Sequence, residues 1–231
     1  MQVVILAGGL ATRLGARTRE LPKALLPVLG RPFLAWQIEA LAASGFSDFV
    51  LCISHFGHLI RDFLGDGAAF GVTAAYSEDG PHLLGTGGAL RRAAPLLASQ
   101  FLVTYGDSYL PFAYSAPLCD LELNPEALGT MSVFENAGQW DASNCEVRSD
   151  WVVRYEKGSA DPALRYIDYG ATALRREALL EYPPDSGFGL DRLQTELARR
   201  GKLRAYVALE RFYEIGSERG IADLEAKLAA R

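Results

Sequence analysis

The chain has 231 residues, of which 49% are hydrophobic and 22% are charged, and its formal net charge is -5. This length and this hydrophobic content are sufficient for one domain with a sizeable core. An acidic chain without a basic block argues against a nucleic-acid partner and against an anionic membrane surface, so neither is expected.

The first predicted element is a buried strand over residues 2–6, a short apolar run that Met1 enters directly. No basic leader precedes it, and no apolar run in the chain approaches the length needed to cross a membrane. The expected location is therefore the cytoplasm, with no membrane partner.

A glycine loop follows this strand, and Gly8 and Gly9 lack the side chains that would keep an anion away from backbone amides. It is not a Walker loop, because five residues separate Gly9 from Gly15 and no Lys-Ser/Thr pair follows. The G-x-G-x-x-G fingerprint of dinucleotide-binding folds is absent too. The loop therefore predicts a phosphate site of another kind.

Polar side chains extend the loop, among them Thr12, the planar fork of Arg13 and the compact charge of Lys23, which suit different contacts with a polyphosphate. The run LAGGLATRL followed by Pro22-Lys23 resembles the signature of the sugar-1-phosphate nucleotidylyltransferases, L-A-G-G-x-G-T-R-L and then P-K. It departs from that signature at Ala11, where the family usually has Gly. An isolated string of this kind would be an ordinary strand-to-helix turn, but the length of the match favours phosphate binding.

Helices and strands alternate beyond the loop. The sequence predicts helices at 31–45, 55–64 and 86–97, and strands at 48–54, 72–77 and 101–105. This alternation predicts right-handed crossovers and an α/β fold, a doubly wound and mostly parallel sheet of the Rossmann-like, GT-A-like type.

Ligands of such sheets bind beyond the carboxyl ends of the strands. Asp107 follows the strand at 101–105, so its carboxylate is expected to face the glycine loop. A carboxylate beside a triphosphate suits Mg²⁺, which takes one or two carboxylates plus phosphate oxygens. Tyr105-Gly106-Asp107 also resembles the G-D metal motif of the family, although a Gly-Asp pair by itself marks a turn.

The run from Gly85 to Leu90 resembles the second glycine stretch of the family, which lines the nucleotide base and ribose. The resemblance implies a set of nucleotide-binding residues: Leu6, Ala7, Gly8, Gly9, Thr12, Gly85 and Thr86.

The second half of the chain has a looser pattern, irregular over 110–128 apart from a short helix near 118–123. Strands at 129–135 and 151–156 flank a polar turn region, which in the family forms an antiparallel flap over the sugar phosphate. The remaining predictions are a strand at 166–173, a helix at 191–200, a strand at 203–208, and a strand that runs into a last helix capped by Ser217. We therefore expect a single domain with a nucleotide-binding half, 1–110, and a sugar-phosphate-binding half, 111–231.

Three positions in the second half carry the sugar-phosphate and metal predictions. Glu156-Lys157 matches the E-K pair of the family, whose Lys meets the sugar phosphate, but Gly158 follows where Pro is usual, and a solvated hairpin-end Lys is the alternative. Asp168 is either an acceptor for sugar hydroxyls or a carboxylate at a strand edge. Glu214 stands where the family has the Asp that is its second metal ligand.

Other metal chemistry is not expected. The three cysteines have neither metal-ligand spacing nor the even number of a disulfide framework, and His55-x-x-His58 lacks further ligands nearby.

The resemblance implies an enzyme that joins a nucleoside triphosphate and a sugar 1-phosphate, with Mg²⁺ on Asp107 and Glu214 and with Arg13, Lys23 and Asp107 in catalysis. Within that family, chains as short as this one occur among guanylyltransferases for heptose 1-phosphate and uridylyltransferases for N-acetylmuramate 1-phosphate. A non-catalytic regulator, which Ala11 and Glu214 would favour, and an enzyme for a non-sugar phosphate stay open. The base, the sugar and the oligomeric state are open as well.

Overall fold

The computed structural model describes residues 1–9, 21–80, 82–136 and 139–230. The predictions made for Thr12 and Arg13, and the departure at Ala11, lie outside these residues. None of the helices in the described part of the chain has the length and apolar character needed to span a bilayer.

The described residues contain thirteen strands: β1 (Gln2–Leu6), β2 (Pro27–Val28), β3 (Arg31–Pro32), β4 (Asp48–Ile53), β5 (Thr73–Glu78), β6 (Gln100–Tyr105), β7 (Ser108–Tyr109), β8 (Gly129–Glu135), β9 (Cys145–Arg148), β10 (Trp151–Tyr155), β11 (Tyr166–Arg175), β12 (Leu203–Ala208) and β13 (Tyr213–Glu214).

The same residues contain seven α-helices: α1 (Phe33–Ala43), α2 (Gly57–Leu64), α3 (Gly85–Ala93), α4 (Ala116–Leu123), α5 (Glu177–Leu180), α6 (Leu190–Arg199) and α7 (Glu218–Ala229). The predicted cap of the last helix is confirmed, because the Ser217 hydroxyl accepts a hydrogen bond from the Gly220 N–H at 3.0 Å.

Nine of the described strands form one sheet in the order β5-β4-β1-β6-β11-β8-β12-β10-β9. The pairs β5–β4, β4–β1, β1–β6 and β8–β12 are parallel, whereas β11 and β10 run antiparallel to each of their neighbours. The predicted α/β fold is confirmed. The sheet is mixed, since β11 returns between two strands of the opposite direction and joins the two halves of the chain.

Helices cover both faces of this sheet, as a doubly wound fold requires. Alternate residues of β1 point to opposite sides, so that Val4 and Leu6 pack in the core beneath α3 and α6, while Val3 and Ile5 pack in the core beneath α1, α2 and α4. All four side chains are buried. The strand is therefore fixed from both sides, and its carboxyl end is held rigidly at the edge where the glycine loop begins.

The flap contains a hairpin that the sequence pattern only partly indicated. β9 and β10 are joined by Ser149 and Asp150, both with positive φ (48° and 64°), as a two-residue type I′ turn requires. β9 is not predicted from the sequence, because four alternating residues are too few to distinguish a strand from the polar turn region before it.

Candidate active site

A cleft of about 460 Å³ lies at the carboxyl ends of β1, β4 and β6. Most of the residues predicted for the nucleotide and the metal line it: Leu6, Ala7, Gly8, Gly9, Lys23, Gly85, Thr86, Asp107 and Glu214. These residues come from five separate stretches of sequence and meet at the edge of the sheet where the topology places a ligand.

The glycine loop is held against two neighbouring strands. The Ala7 N–H donates to the Cys52 carbonyl at 2.8 Å, and the Gly106 N–H donates to the Leu6 carbonyl at 2.9 Å. A Cβ on Gly106 would lie only 3.1 Å from the Ala7 Cα, which is tighter than an ordinary contact. The loop that carries Asp107 therefore touches the glycine loop directly, because Gly106 has no side chain.

Lys23 and Asp107 form the ion pair at the centre of the cleft, with 2.6 Å between Nζ and Oδ2. Their side chains are 21% and 33% exposed, so both remain accessible from the cleft. The other oxygen of Asp107, Oδ1, accepts a longer bond of 3.3 Å from the Ser108 hydroxyl. The lysine of the P-K pair therefore contacts the carboxylate that follows β6, a pairing that the sequence did not predict.

Glu214 reaches this place through a short antiparallel pairing. β13 pairs with β7 so that Glu214 stands opposite Ser108, and the Ile215 N–H donates to the Asp107 carbonyl at 3.0 Å. The Glu214 carboxylate accepts bonds from the Gly216 N–H and, at 3.0 Å, from the Ser217 hydroxyl. The pairing thereby holds Glu214 beside the turn that carries Asp107, although the two carboxylates are far apart in sequence.

Gly216 leaves the space in which these groups meet. A Cβ at this position would lie 2.7 Å from Lys23 Nζ and would overlap Glu214 Oε2. Any larger residue would therefore push the ammonium and the carboxylate apart.

The donor set of Asp107 and Glu214 fits a hard divalent cation. Within the described ranges, no group of three or more His, Cys, Asp or Glu side chains gathers around one point. Mg²⁺ ordinarily takes one or two carboxylates and completes its shell with water and phosphate oxygens. The two partly exposed carboxylates are therefore sufficient for that ion but not for a site built from protein ligands alone.

The second glycine stretch packs closely against the segment before α6. The N–H groups of Gly87 and Gly88 donate to the Phe188 carbonyl at 2.9 and 3.1 Å, and a Cβ on Gly85 would lie 2.7 Å from the same oxygen. The Thr86 hydroxyl accepts the Leu190 N–H at 2.8 Å. The stretch thus has a packing role, and Gly85 and Thr86 also line the cleft.

The predicted sugar-phosphate residues lie outside the residues that line the 460 Å³ cleft. Lys157 is exposed, and its charge is close enough to oppose the rise in the pKa of Asp168. Glu156 is paired with Arg154 at 2.8 Å, and Arg154 also contacts Asp161 at 2.7 Å. The structure therefore brings Lys157 towards Asp168, while the Glu156 carboxylate is already occupied by an arginine.

Asp168 lies on β11, an interior strand, where it stands opposite Val133 of β8. It is therefore not on an edge strand. Its carboxylate accepts bonds from the Gly170 N–H at 2.9 Å and from the Tyr155 hydroxyl at 3.2 Å. Burial raises the pKa of this carboxyl above its ordinary value, and the Gly170 N–H and the Lys157 charge reduce the rise.

This raised pKa leads to a stability prediction. The folded protein binds the Asp168 proton more tightly than the unfolded chain does. Above the pKa that Asp168 has in the folded protein, its ionised carboxylate therefore lowers the free energy of unfolding. This destabilisation disappears as the pH falls below the pKa that Asp168 has in the unfolded chain. We expect Asp168→Asn to increase the free energy of unfolding at pH 7 by about 1 kcal/mol, and the gain to shrink towards pH 4.

Asp161→Asn is the matched control. The Ala163 N–H and then Arg154 lower the pKa of Asp161, so its charge stabilises the fold at pH 7 and the amide should lower the melting temperature. Thermal unfolding of both variants between pH 4 and pH 8 measures the two effects. A stabilisation by Asp168→Asn that did not change with pH would contradict the electrostatic explanation.

Three contributors to the site were not predicted. Gln37, fully buried on α1, donates to the carbonyls of Tyr105 and Ser108 at 2.7 and 2.9 Å. These bonds fix the backbone on both sides of Asp107. The buried Tyr105 hydroxyl has no hydrogen-bond partner among the described residues. Asp79 follows β5 and lines the cleft. The rule that ligands bind beyond the carboxyl ends of strands, which identified Asp107, also indicates Asp79. For Gln37 the available signal was a polar residue on an otherwise apolar helix face.

The nucleotidyl transferase family model matches residues 2–137 of the chain. The chain belongs to the nucleotidyl transferase family. Enzymes of this family generally depend on a metal ion.

Two relatives of the chain differ in the nucleotide that their names give. The N-acetylmuramate alpha-1-phosphate uridylyltransferase of Neisseria meningitidis is 38% identical over 127 residues, 54% of this chain and 55% of that enzyme. The D-glycero-alpha-D-manno-heptose 1-phosphate guanylyltransferase of Campylobacter jejuni is 27% identical over 221 residues, 94% of this chain and 95% of that enzyme. The matched region thus spans about half of the first relative and nearly all of the second.

Among solved structures, HddC from Yersinia pseudotuberculosis is similar with a TM-score of 0.80 and 27% identity, over 98% of this chain and 99% of that chain. The predicted resemblance to sugar-1-phosphate nucleotidylyltransferases is therefore confirmed, as is the prediction that this nucleotidyl transferase is an enzyme of nucleotide-sugar biosynthesis.

Proposed function

We propose that this nucleotidyl transferase binds a nucleoside triphosphate in the 460 Å³ cleft and transfers the nucleoside monophosphate to a sugar 1-phosphate, with release of pyrophosphate. The observation that carries this proposal is the meeting of the Gly8-Gly9 loop, the Lys23–Asp107 ion pair and Glu214 at the carboxyl edge of the sheet. Backbone amides, one cation and two carboxylates are the groups that a metal-bound triphosphate requires.

The phosphate end of the nucleotide would lie over Gly8 and Gly9, where the absence of side chains allows amides to approach the anion. Lys23 would hold the α-phosphate, and Arg13 would stabilise the charge on the leaving pyrophosphate. Residues 1–110 would in this way form the nucleotide-binding half, with Leu6, Ala7, Thr12, Gly85 and Thr86 completing the nucleotide contacts.

Asp107 and Glu214 would hold Mg²⁺, which supplies neutralisation of the phosphate charge when it is bound. Lys23 already contacts Asp107 Oδ2, so Oδ1 is the oxygen of this carboxylate left for a cation. The Glu214 side chain is one methylene longer than the usual Asp, and its bonds to Gly216 and Ser217 set its direction.

The half formed by residues 111–231 would bind the sugar phosphate. Lys157 is an exposed cation that follows β10, and Asp168 near it offers a carboxylate for sugar hydroxyls. Glu156 would act in this region together with its partner Arg154.

The reaction would proceed by attack of an oxygen of the sugar 1-phosphate on the α-phosphorus, with cleavage of the bond between the α- and β-phosphates. Both reactants are anions, so the protein contributes chiefly positioning and charge neutralisation. Arg13, Lys23 and Asp107 are the residues assigned to catalysis in this scheme.

The relatives support guanine or uracil as the base, with heptose 1-phosphate or N-acetylmuramate 1-phosphate as the acceptor. HddC was also crystallised with GMP-PN, and that structure is 25% identical to the chain with a TM-score of 0.78. A cytoplasmic location follows from the proposed substrates.

The function is tested by crossing four nucleoside triphosphates with a panel of sugar 1-phosphates in the presence of Mg²⁺ and scoring pyrophosphate. Phosphocholine and inositol 1-phosphate serve as non-sugar acceptors. We expect pyrophosphate with one base and one sugar 1-phosphate above all others. Tight binding of a nucleotide sugar without pyrophosphate from any pair would instead indicate a regulator, and turnover with a non-sugar acceptor alone would indicate a different substrate class.

A further inference from the structure

A buried carboxylate stands at the end of the cleft away from the Lys23–Asp107 pair. Asp79 follows β5, is only 7% exposed and lines the cleft beside Cys52 and Leu83. Its Oδ2 accepts the Leu84 N–H at 3.3 Å, whereas Oδ1 has no hydrogen-bond partner in the described part of the chain. Burial raises the pKa of this carboxyl, and the Leu84 N–H opposes the rise.

The Arg92 charge also opposes the rise in the pKa of Asp79, but Arg92 donates no hydrogen bond to this carboxylate. Arg92 donates to the backbone carbonyls of Glu78 and Asp79, and its Nε and Nη2 contact Asp185 at 2.9 and 2.8 Å. Oδ1 is not among the buried polar atoms that lack a partner, so this oxygen is accessible from the cleft. The oxygen of Asp79 that is left over therefore marks a place where a ligand with hydrogen-bond donors would be stabilised.

The separation of Asp79 from Asp107 suits the two ends of one nucleotide. Asp79 follows β5 and Asp107 follows β6, and the sheet order β5-β4-β1-β6 puts three strand spacings, about 14 Å, between them. With the phosphates at Lys23 and Asp107, the base would reach the wall formed by Asp79, Leu83 and Gly85.

The nucleobases differ in what they present to a carboxylate, which accepts hydrogen bonds but donates none. Guanine carries two adjacent donors, N1–H and the N2 amino group. Uracil and thymine carry one N–H between two carbonyl oxygens, which a carboxylate repels. Adenine and cytosine place an acceptor nitrogen next to their amino group. Guanine alone therefore pairs with both oxygens of a carboxylate.

We propose that Asp79 is the specificity-determining residue of this site and selects a guanine nucleotide through the N1–H and N2 amino donors. The inference rests on the proposed function, because it assigns the base of the nucleotide proposed for the same cleft. It also favours guanine over uracil as the base of the nucleotide, on the basis of Asp79 of this chain.

Binding of GTP, ITP and UTP is the test, measured by isothermal titration calorimetry with Mg²⁺. ITP differs from GTP only in lacking the N2 amino group. With the unaltered protein we expect GTP to bind about 10- to 100-fold more tightly than UTP, and more tightly than ITP. In Asp79→Asn the GTP affinity should fall about 10-fold or more, with the difference between GTP and ITP reduced.

Glu78→Gln is the matched control, since it makes the same chemical change in the adjacent residue, whose carboxylate is exposed and faces Arg61. It should leave all three affinities unchanged. The comparison of GTP with ITP uses the unaltered protein, so it holds even if Asp79→Asn does not fold.

Tighter binding of UTP, or equal binding of GTP and ITP, would overturn the inference and leave the proposed nucleotidyl transfer intact. A protein that bound no nucleoside triphosphate would overturn both.

Discussion

Asp107→Asn is expected to lower turnover by at least about a thousandfold, a loss comparable with removal of a charged group from other phosphoryl-transfer sites. Asp107 contributes in two ways, as the partner of Lys23 at 2.6 Å and as a proposed metal ligand beside Glu214. The amide retains the shape of the side chain but removes its charge, so both contributions fail together.

The measurement is the rate of pyrophosphate release at saturating substrates, together with the Mg²⁺ concentration that gives half-maximal rate. That concentration should rise in the variant if the carboxylate binds the metal. Asp66→Asn is the control, because Asp66 is an exposed carboxylate that accepts the Ala68 N–H, which an amide oxygen can also accept. Near-normal turnover in Asp107→Asn would remove this residue from the catalytic scheme.

Arg13→Ala is expected to lower turnover by about a thousandfold as well. The expectation rests on the sequence, since Arg13 lies in the T-R-L part of the signature. A guanidinium can donate two parallel hydrogen bonds to a phosphate, and the leaving pyrophosphate gains charge as the bond to the α-phosphorus breaks.

Arg13→Lys separates charge from geometry, because it retains the cation but loses the planar fork. It should recover part of the rate lost in Arg13→Ala. Arg199→Ala, at the exposed end of α6, is the control for removal of an arginine elsewhere. An Arg13→Ala protein that turned over at the normal rate would show that the signature arginine has no catalytic role here.

The strands that are marked by short apolar runs could be predicted from the sequence. The strand before Gly8-Gly9 is a short apolar run, and the strand before Asp107 is apolar apart from Gln100 and Thr104. The rule that ligands bind at the carboxyl ends of strands places their loops together. The nucleotide part of the site therefore followed from short stretches of sequence.

The contacts between residues far apart in the chain could not be predicted from the sequence. β7 and β13 have two residues each, too few for a periodic pattern, so the register that places Glu214 opposite Ser108 is visible only in the folded chain. The contact of Gly87 and Gly88 with Phe188 joins residues about a hundred positions apart. The position of Asp79 after a strand could be predicted from the sequence, but its low exposure and its hydrogen bond from the Leu84 N–H are visible only in the folded chain.

The most direct measurement of the central claim is a crystal structure with a non-hydrolysable nucleoside triphosphate analogue and Mn²⁺. We expect the phosphates to lie over Gly8 and Gly9, with an anomalous peak in contact with the carboxylates of Asp107 and Glu214. A nucleotide bound elsewhere on the protein, or a metal peak away from both carboxylates, would contradict it.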